Sequence, residues 1–247
     1  DPADSCEILS RHVVIAATLS TAWALAQLSG LYAPYPLSDG RPYAGLGSTI
    51  YLASFLALAL PLALAQGMFW HAGAMLIGIV LTETRAGLIA ATIGCGYWWI
   101  VTCRPRRRYL LGALAAVLLA GAGMTAMRTD ILKADKGRII VYKTALRIFC
   151  QHPWFGYGPD LFSDAFRKNR GEDWYAAGFS KNSSQGTAHN DILQAMVNSG
   201  IFWTAAYLLL CASLGFFLFF SGRNGVLGAA LALFTYAKLN ETAFPVK

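Results

Sequence analysis

Four side chains that can bind or activate an anionic substrate occur in short polar stretches between long apolar runs. Arg41, Arg85 and Arg138 carry permanent positive charge, and a guanidinium can bind two phosphate oxygens at once. His189 has an imidazole, a group that titrates near neutral pH and can take a proton from a hydroxyl. Together these residue types predict a site for a phosphate-containing ligand, with a histidine available for proton transfer.

Each of these side chains also has a simpler interpretation. Arg85 lies in a short turn between two apolar runs, where a guanidinium is costly to bury and commonly faces a polar cavity or a ligand. It can instead pair with Glu83 or lie in an exposed turn, although residues two apart on a helix face different directions. Arg41 and Arg138, taken singly, can be solvated charges or anchors for lipid head groups. A lone His189 can be a hydrogen-bonded side chain with no catalytic role.

The apolar runs that separate these residues indicate that much of the protein lies in a lipid bilayer. Hydrophobic residues make up 56% of the 247 positions and charged residues only 13%, about half the usual share of roughly 25%. A spanning helix needs about 20 apolar residues, and we therefore predict an all-α, polytopic transmembrane helical bundle with about seven spans. The predicted spans are near residues 12–32, 48–65, 68–82, 86–103, 109–127, 192–220 and 225–239.

The arginine run at 104–108 predicts the orientation of these spans. Positive charge in short links marks the cytoplasmic side, so alternation places Arg41, Arg85 and the long segment 128–188 on the opposite side. We predict three parts: transmembrane helices 1–5 in residues 1–127, an outer loop in 128–188, and transmembrane helices 6–7 in 189–247. The third span is short, about 22 Å at 1.5 Å per residue, which predicts that the turn carrying Arg85 sits below the membrane surface.

The outer loop has a helical pattern of its own. Apolar residues recur at helical spacing from Ile139 to Phe149, and basic residues including Arg147 occupy another face. This pattern predicts an amphipathic helix lying on the membrane, with its basic face toward phosphate. The glycine- and proline-rich stretch 152–159 breaks the helix, a further helix can follow it, and the polar stretch 169–187 is predicted to be mobile.

Several kinds of chemistry lack their usual motifs. The five cysteines are odd in number and scattered, which does not indicate a disulfide framework or a metal cluster. The sequence has no glycine-rich nucleotide loop, no His-Glu-x-x-His helix, no Gly-x-Ser-x-Gly elbow and no Asp-x-Asp pair. We predict no metal, no cofactor and no nucleic-acid partner.

Five short motifs in a fixed order resemble the O-antigen ligase and polymerase superfamily. They are Gly-Arg-Pro-Tyr-Ala-Gly-Leu-Gly at 40–47, Thr-Glu-Thr-Arg-Ala-Gly-Leu at 82–88, Gly-Arg-Ile-Ile-Val-Tyr-Lys-Thr-Ala-Leu at 137–146, His-Pro-Trp-Phe-Gly-Tyr-Gly-Pro at 152–159, and His-Asn-x9-Gly at 189–200. The resemblance extends from about residue 12 to 240. Its most specific pieces are the Pro-x-x-Gly-x-Gly turn and the His-Asn-x9-Gly spacing.

The resemblance implies a function. Members are bacterial inner-membrane glycosyltransferases that take glycan from an undecaprenyl-diphosphate carrier on the periplasmic face and pass it to an acceptor. By resemblance, Arg85 and Arg138 match the functional arginines of the family and His189 its functional histidine. Asp191 is an alternative base. Further substrate contacts are expected from Arg41, Arg147, Asn190, Gly156 and Gly158.

The resemblance leaves the branch of the family open. The turn reads Thr84-Arg85 where members commonly have Ser-Arg, and Trp203 stands where ligases commonly have a second glycine. We expect a ligase with lipid A-core as acceptor. The alternatives within the family are an O-antigen or exopolysaccharide polymerase, which lengthens a growing polysaccharide, and a transferase with a protein acceptor. A non-enzymatic polyprenyl-lipid carrier is the alternative from another class, which the absence of an inverted repeat disfavours. Members carry further spans before this region, so we expect the sequence to be a piece of a longer protein.

Overall fold

The computed structural model describes residues 2–31, 37, 40–103, 131–180 and 185–239. All regular secondary structure within these ranges is helical, which confirms the all-α prediction. The helices are α1 (Pro2–Leu28), α2 (Thr49–Ala65), α3 (Phe69–Leu81), α4 (Arg85–Cys103), α5 (Ile131–Gln151), α6 (Phe162–Asn169), α7 (Glu172–Ala176), α8 (Asp191–Phe220) and α9 (Asn224–Leu239).

Three of these helices are long and apolar enough to cross a membrane. They are α1 over Ser5–Leu28, α4 and α8, whereas α2, α3 and α9 are shorter apolar helices. Every predicted span that falls in the described ranges coincides with a helix, and the predicted span at 109–127 lies outside them. The membrane-helix prediction is therefore confirmed, while the number of about seven crossings and the periplasmic position of the loop remain predictions.

The chain divides into two compact units. In the described ranges, the first unit contains α1 to α4 with Gly215–Tyr236, and the second contains α5 to α7, α8 as far as Leu214, and the residues from Ala237 onward. Helix α8 therefore contributes to both units. The predicted boundaries at 127 and 188 instead leave α8 undivided.

Small residues bring the helices of the first unit together. A Cβ atom on Gly94 in α4 would lie 2.5 Å from the carbonyl oxygen of Gly228 in α9, and one on Gly228 would lie 2.7 Å from that of Gly94. Backbones in such contact are typical of membrane helices, where small residues replace the hydrophobic drive for association. The hydroxyl of Tyr236 in α9 also donates to the carbonyl of Ile50 in α2 at 2.6 Å.

The second unit has an aromatic and aliphatic core that the sequence pattern did not reveal. Trp174 in α7 is completely buried, stacks on Phe179 at 4.1 Å between ring centroids and meets the edge of Phe166 at 5.0 Å. Part of the stretch 169–187 therefore packs into a core of its own through this indole, and the mobility of the stretch remains a prediction.

Helix α5 confirms the predicted helix in the outer segment. The face that it buries is not the predicted apolar face but the one next to it on the helix. Ile140, Val141 and Ile148 lie in the core of the second unit, whereas Ile139 and Leu146 are exposed. The expected contact of this helix with the membrane remains a prediction.

Candidate functional site

His189 occupies a strained turn immediately before α8. Its φ angle is 53°, in the left-handed region that residues other than glycine adopt rarely and at a cost. Hydrogen bonds on both sides hold the turn: the backbone N–H of Ala188 donates to Oε1 of Gln194 at 2.7 Å, and the hydroxyl of Tyr142 donates to the carbonyl of His189 at 3.4 Å. Strain maintained in this way is typical of functional positions.

The imidazole of His189 is kept in a form that can accept a proton. Burial, followed by the positive charge of Arg138, lowers the pKa of His189 below its usual value, so the side chain is neutral at pH 7. Its Nε2 lies 3.2 Å from Oε1 of Gln185, an oxygen that can only accept. This contact favours a proton on Nε2 and leaves Nδ1 as the basic nitrogen.

Asn190 fixes the start of α8. Its side-chain oxygen accepts hydrogen bonds from the backbone N–H groups of Ile192 and Leu193 at 3.0 and 3.1 Å, the geometry of a helix N-cap. Its side-chain nitrogen donates to the carbonyl of Lys238 in α9 at 2.9 Å. Both ends of the amide are therefore occupied by backbone groups, and the expected contact of Asn190 with substrate remains a prediction.

Asp191, the alternative base, forms an ion pair with Lys238. Its Oδ2 lies 3.6 Å from Nζ of Lys238, and the same Nζ donates to the hydroxyl of Tyr207 at 3.3 Å. This ion pair engages the carboxylate, and the role of Asp191 as the alternative base remains a prediction. Lys238 was not among the predicted site residues, although a lone basic residue near the end of an apolar helix is a recognisable signal.

Helix α8 is two helical segments that meet at Gly200. This residue has φ 72° and ψ −170°, a combination that is essentially restricted to glycine. Asp191 and Tyr207 stand sixteen positions apart, about 24 Å along a straight helix, yet both contact the ammonium group of Lys238. The helix axis therefore turns sharply at Gly200, and the segment beginning at Asp191 folds back toward the segment that contains Tyr207.

The glycine-rich loop 153–158 supplies hydrogen bonds that this bend would otherwise lose. The N–H of Ile201 donates to the carbonyl of Pro153 at 2.8 Å, and the carbonyls of Val197 and Asn198 accept from Tyr157 and Gly158 at 2.7 and 3.0 Å. Polar backbone groups in or near a bilayer need such partners. The two most specific motifs of the sequence are thus in direct contact. The His-Asn-x9-Gly motif contains the glycine at which the helix bends, and the Pro-x-x-Gly-x-Gly turn forms hydrogen bonds with the backbone groups around the bend.

The close approach of the loop to the bend also explains its first glycine. A Cβ atom on Gly156 would lie 2.4 Å from the backbone nitrogen of Ser199, and one on Gly200 would lie 2.2 Å from the carbonyl oxygen of Trp154. Gly158 has a positive φ of 116°. These positions are set by backbone packing, and the expected substrate contacts of Gly156 and Gly158 remain predictions.

Arg147 has a structural partner. Its exposed guanidinium donates to the carbonyl of Asn169, the last residue of α6, at 2.6 Å. A cation at a helix C-terminus is favourable, so Arg147 ties α5 to the end of α6. A contact of Arg147 with substrate remains a prediction.

Arg85 is the first residue of α4 and follows a buried turn. Thr82 and Thr84 are buried, Glu83 is exposed with φ 50°, and Arg85 is partly buried. The carbonyl of Thr84 accepts the N–H of Leu88 at 3.2 Å. A cation in the first turn of a helix is opposed by the helix dipole, and a nearby anion would offset that cost.

Arg41 precedes a segment that α1 holds in place. Oε1 of Gln27, a buried residue of α1, accepts the N–H groups of Tyr43 and Ala44 at 3.1 and 2.8 Å. Its Nε2 donates back to the carbonyl of Ala44 at 3.2 Å. Gln27 was not among the predicted residues, although an amide inside an apolar span is a signal that the sequence contains.

Of the predicted residues, the second unit brings together His189 and Arg138, with Asn190 adjoining the histidine in sequence. Arg41 and Arg85 each belong to the first unit. Among the described residues, no group of three or more His, Cys, Asp or Glu side chains is placed to hold a metal ion.

Comparison with known proteins identifies the family. The family model described as O-antigen ligase (Wzy_C) matches residues 70–208, more than half of the chain. No curated protein matches the chain. The matched range contains Arg85, Arg138, the loop 153–158 and the bend at Gly200. The chain therefore belongs to the O-antigen ligase family; this match indicates a glycosyltransferase-like membrane enzyme, and the family implies lipid-linked glycan and polysaccharide substrates in general.

Proposed function

We propose that this protein transfers glycan from an undecaprenyl-diphosphate carrier to lipid A-core on the periplasmic face of the bacterial inner membrane. The observation that carries the proposal is the turn at His189. A partly buried, neutral imidazole in a strained conformation, within the electrostatic reach of the guanidinium of Arg138, combines a proton acceptor with a group that binds phosphate. Glycosyl transfer from a diphosphate needs both.

His189 is the general base in this reaction. As an acceptor hydroxyl attacks the anomeric carbon, the bond from that carbon to the diphosphate oxygen breaks through an oxocarbenium-like state. The hydroxyl proton passes to Nδ1 of His189, and the bonding pair leaves with the diphosphate. A base is most effective when its pKa lies near the working pH, and the lowered pKa of His189 keeps it unprotonated before attack.

The arginines stabilise the leaving group. Negative charge grows on the diphosphate in the transition state, and fixed cations stabilise that charge more than they stabilise the substrate. We assign this role to Arg138 and Arg85, and a supporting contact with the carrier to Arg41. Guanidinium groups can provide this stabilisation directly, so the proposed reaction is independent of added metal.

The experiment is a transfer assay with the full-length protein, undecaprenyl-diphosphate-linked glycan and lipid A-core, in the presence of EDTA. Wild type is compared with His189→Ala, Arg138→Ala and Arg85→Ala. The matched controls are His12→Ala and Arg167→Ala, which remove an exposed histidine and an exposed arginine.

We expect the three site variants to bind donor and to lose turnover by at least about 100-fold, the scale of a lost base or charge stabiliser. Both controls should keep their turnover. Lengthened carrier-linked glycan without transfer to lipid A-core would assign the protein to the polymerases instead. Donor binding without transfer to any acceptor would reject the enzymatic proposal in favour of a carrier, and activity that EDTA abolishes would reject metal independence.

A further inference from the structure

Four large, exposed aromatic side chains lie beside the bend in α8, and the rings of three of them are in contact. Trp154 and Phe155 belong to the loop and are 61% and 79% exposed, and Phe202 and Trp203 belong to α8 and are 58% and 69% exposed. The ring of Phe202 stacks on Trp154 at 5.8 Å and lies 6.0 Å from Phe155. Exposed aromatic groups of this size mark a contact surface for another phase or molecule.

The length of α8 shows where this cluster lies along the helix. Its 30 residues would measure about 45 Å, more than the roughly 30 Å hydrocarbon core. The residues before Gly200 include Gln194 and Asn198 and are partly or fully buried. The segment Ile201–Phe220 carries no charged or amide side chain, is mostly exposed, and measures about 30 Å. This segment therefore has the length and composition of a membrane crossing that begins at Ile201.

The loop is fastened at the same level as the start of this crossing. The hydrogen bond from the N–H of Ile201 to the carbonyl of Pro153 joins the loop to the first residue of the crossing. The next loop residue, Trp154, stacks on Phe202. Trp154 and Phe155 therefore lie at the depth of the first turn of a membrane-spanning segment, where tryptophan is characteristically enriched.

We propose that Trp154, Phe155, Phe202 and Trp203 form a bilayer-docking surface that inserts into the interfacial region of the outer leaflet. Lipid is the partner because the surface is continuous with the exposed apolar face of α8 below it, which includes Leu209 and Leu210. The inference depends on the membrane crossing by α8; the insertion itself is independent of the transfer reaction, whereas its consequence for His189 rests on the proposed function.

This docking surface sets the height of the His189 turn. The loop holds the bend at Gly200, and Lys238 holds Asp191 beside Tyr207, so the turn before Asp191 stays near the start of the crossing. A lipid-linked diphosphate has its charged group at this same interface. The loop therefore fixes the depth of the histidine relative to the membrane surface and keeps it within reach of a ligand that is confined to that surface.

Site-directed spin labelling measures the depth directly. Phe155→Cys is introduced into the full chain after replacement of the native cysteines, labelled with a nitroxide and reconstituted into phosphatidylethanolamine and phosphatidylglycerol vesicles. Leu210→Cys, in the middle of the crossing, is the lipid reference, and Lys168→Cys, exposed on α6, is the water reference. Collision rates with oxygen and with a water-soluble nickel complex report the phase around each label.

We expect the label at 155 to collide with oxygen more than with nickel, at a depth between the two references. Nickel access equal to that at 168 would overturn the proposal, and so would shielding from both reagents, which would indicate cover by protein. Photolabelling of the unmodified protein with a lipid-soluble diazirine gives an independent measurement. The peptide containing Trp154 and Phe155 should be labelled and the peptide containing the buried Trp174 should not; equal labelling of both peptides, or none of the first, would also overturn the proposal.

Discussion

Replacement of Gly200 by alanine tests whether the bend in α8 depends on the loop that touches it. An alanine there must keep φ 72° and ψ −170°, a region that costs a side chain about 1–3 kcal/mol. Its Cβ atom would also lie 2.2 Å from the carbonyl oxygen of Trp154 and 2.6 Å from the nitrogen of Phe155. Both neighbours are backbone atoms, so the loop itself must move away.

Movement of the loop would break the hydrogen bonds that satisfy the bend. The bond from Ile201 to Pro153 and the bonds that Val197 and Asn198 accept contribute about 0.5–1.5 kcal/mol each. Added to the backbone strain, their loss lowers the free energy of unfolding by at least about 2.5 kcal/mol, a large share of the roughly 5–15 kcal/mol of a typical domain.

The assay is unfolding in mixed micelles with increasing SDS, followed by tryptophan fluorescence. The matched control is Gly215→Ala in the same helix, where an added Cβ atom meets nothing within 4 Å and the substitution should stabilise the helix by about 0.5–1 kcal/mol. The reasoning is refuted if Gly200→Ala loses less than about 1 kcal/mol relative to wild type.

Three further predictions concern side chains that hold the candidate site. Because the charge of Arg138 lowers the pKa of His189, Arg138→Gln should raise that pKa; the pH at which diethyl pyrocarbonate modification of His189 is half-maximal should then move upward, and an unchanged profile would show that the charge does not reach the imidazole. Lys238→Met removes the cation from Asp191, so kcat should fall by about 10-fold or more with little change in KM, while Lys238→Arg should restore most of it; equal loss in both variants would contradict a positioning role. Gln27→Leu leaves the N–H groups that Gln27 binds without their acceptor and should lower the unfolding free energy by about 1–3 kcal/mol in the SDS titration, whereas no loss would show that water replaces the amide.

The membrane helices were predictable from the sequence because their signal is local. An apolar run long enough to cross a bilayer has few other stable solutions, and the helices found in the described residues follow the predicted runs. The turn before α4 was predictable for the same reason, since Thr82 to Arg85 interrupts two such runs. The resemblance supplied the roles expected of Arg85 and His189.

The bend at Gly200 was not predictable from the sequence. A single glycine in an apolar helix is common, and it marks a bend only when other backbone groups stand ready to take the broken hydrogen bonds. Here those groups come from residues 153–158, far away in sequence. Trp174 was missed because its core partners, Phe166 and Phe179, lie in a segment whose overall composition is polar. Lys238 was missed because only the folded chain places it beside Asp191.

The dependence of α8 on the loop has a consequence for protein engineering. A peptide or chimera that carries the histidine turn and α8, residues 188–220, without the loop lacks the donors and acceptors of 153–158, so in a bilayer its unpartnered backbone groups favour a straight helix. Straightening would carry the histidine turn away from the membrane surface by the length of the first segment. Grafting this region onto another scaffold, or exchanging it between relatives, therefore requires the loop and the helix to be transferred together as one cassette.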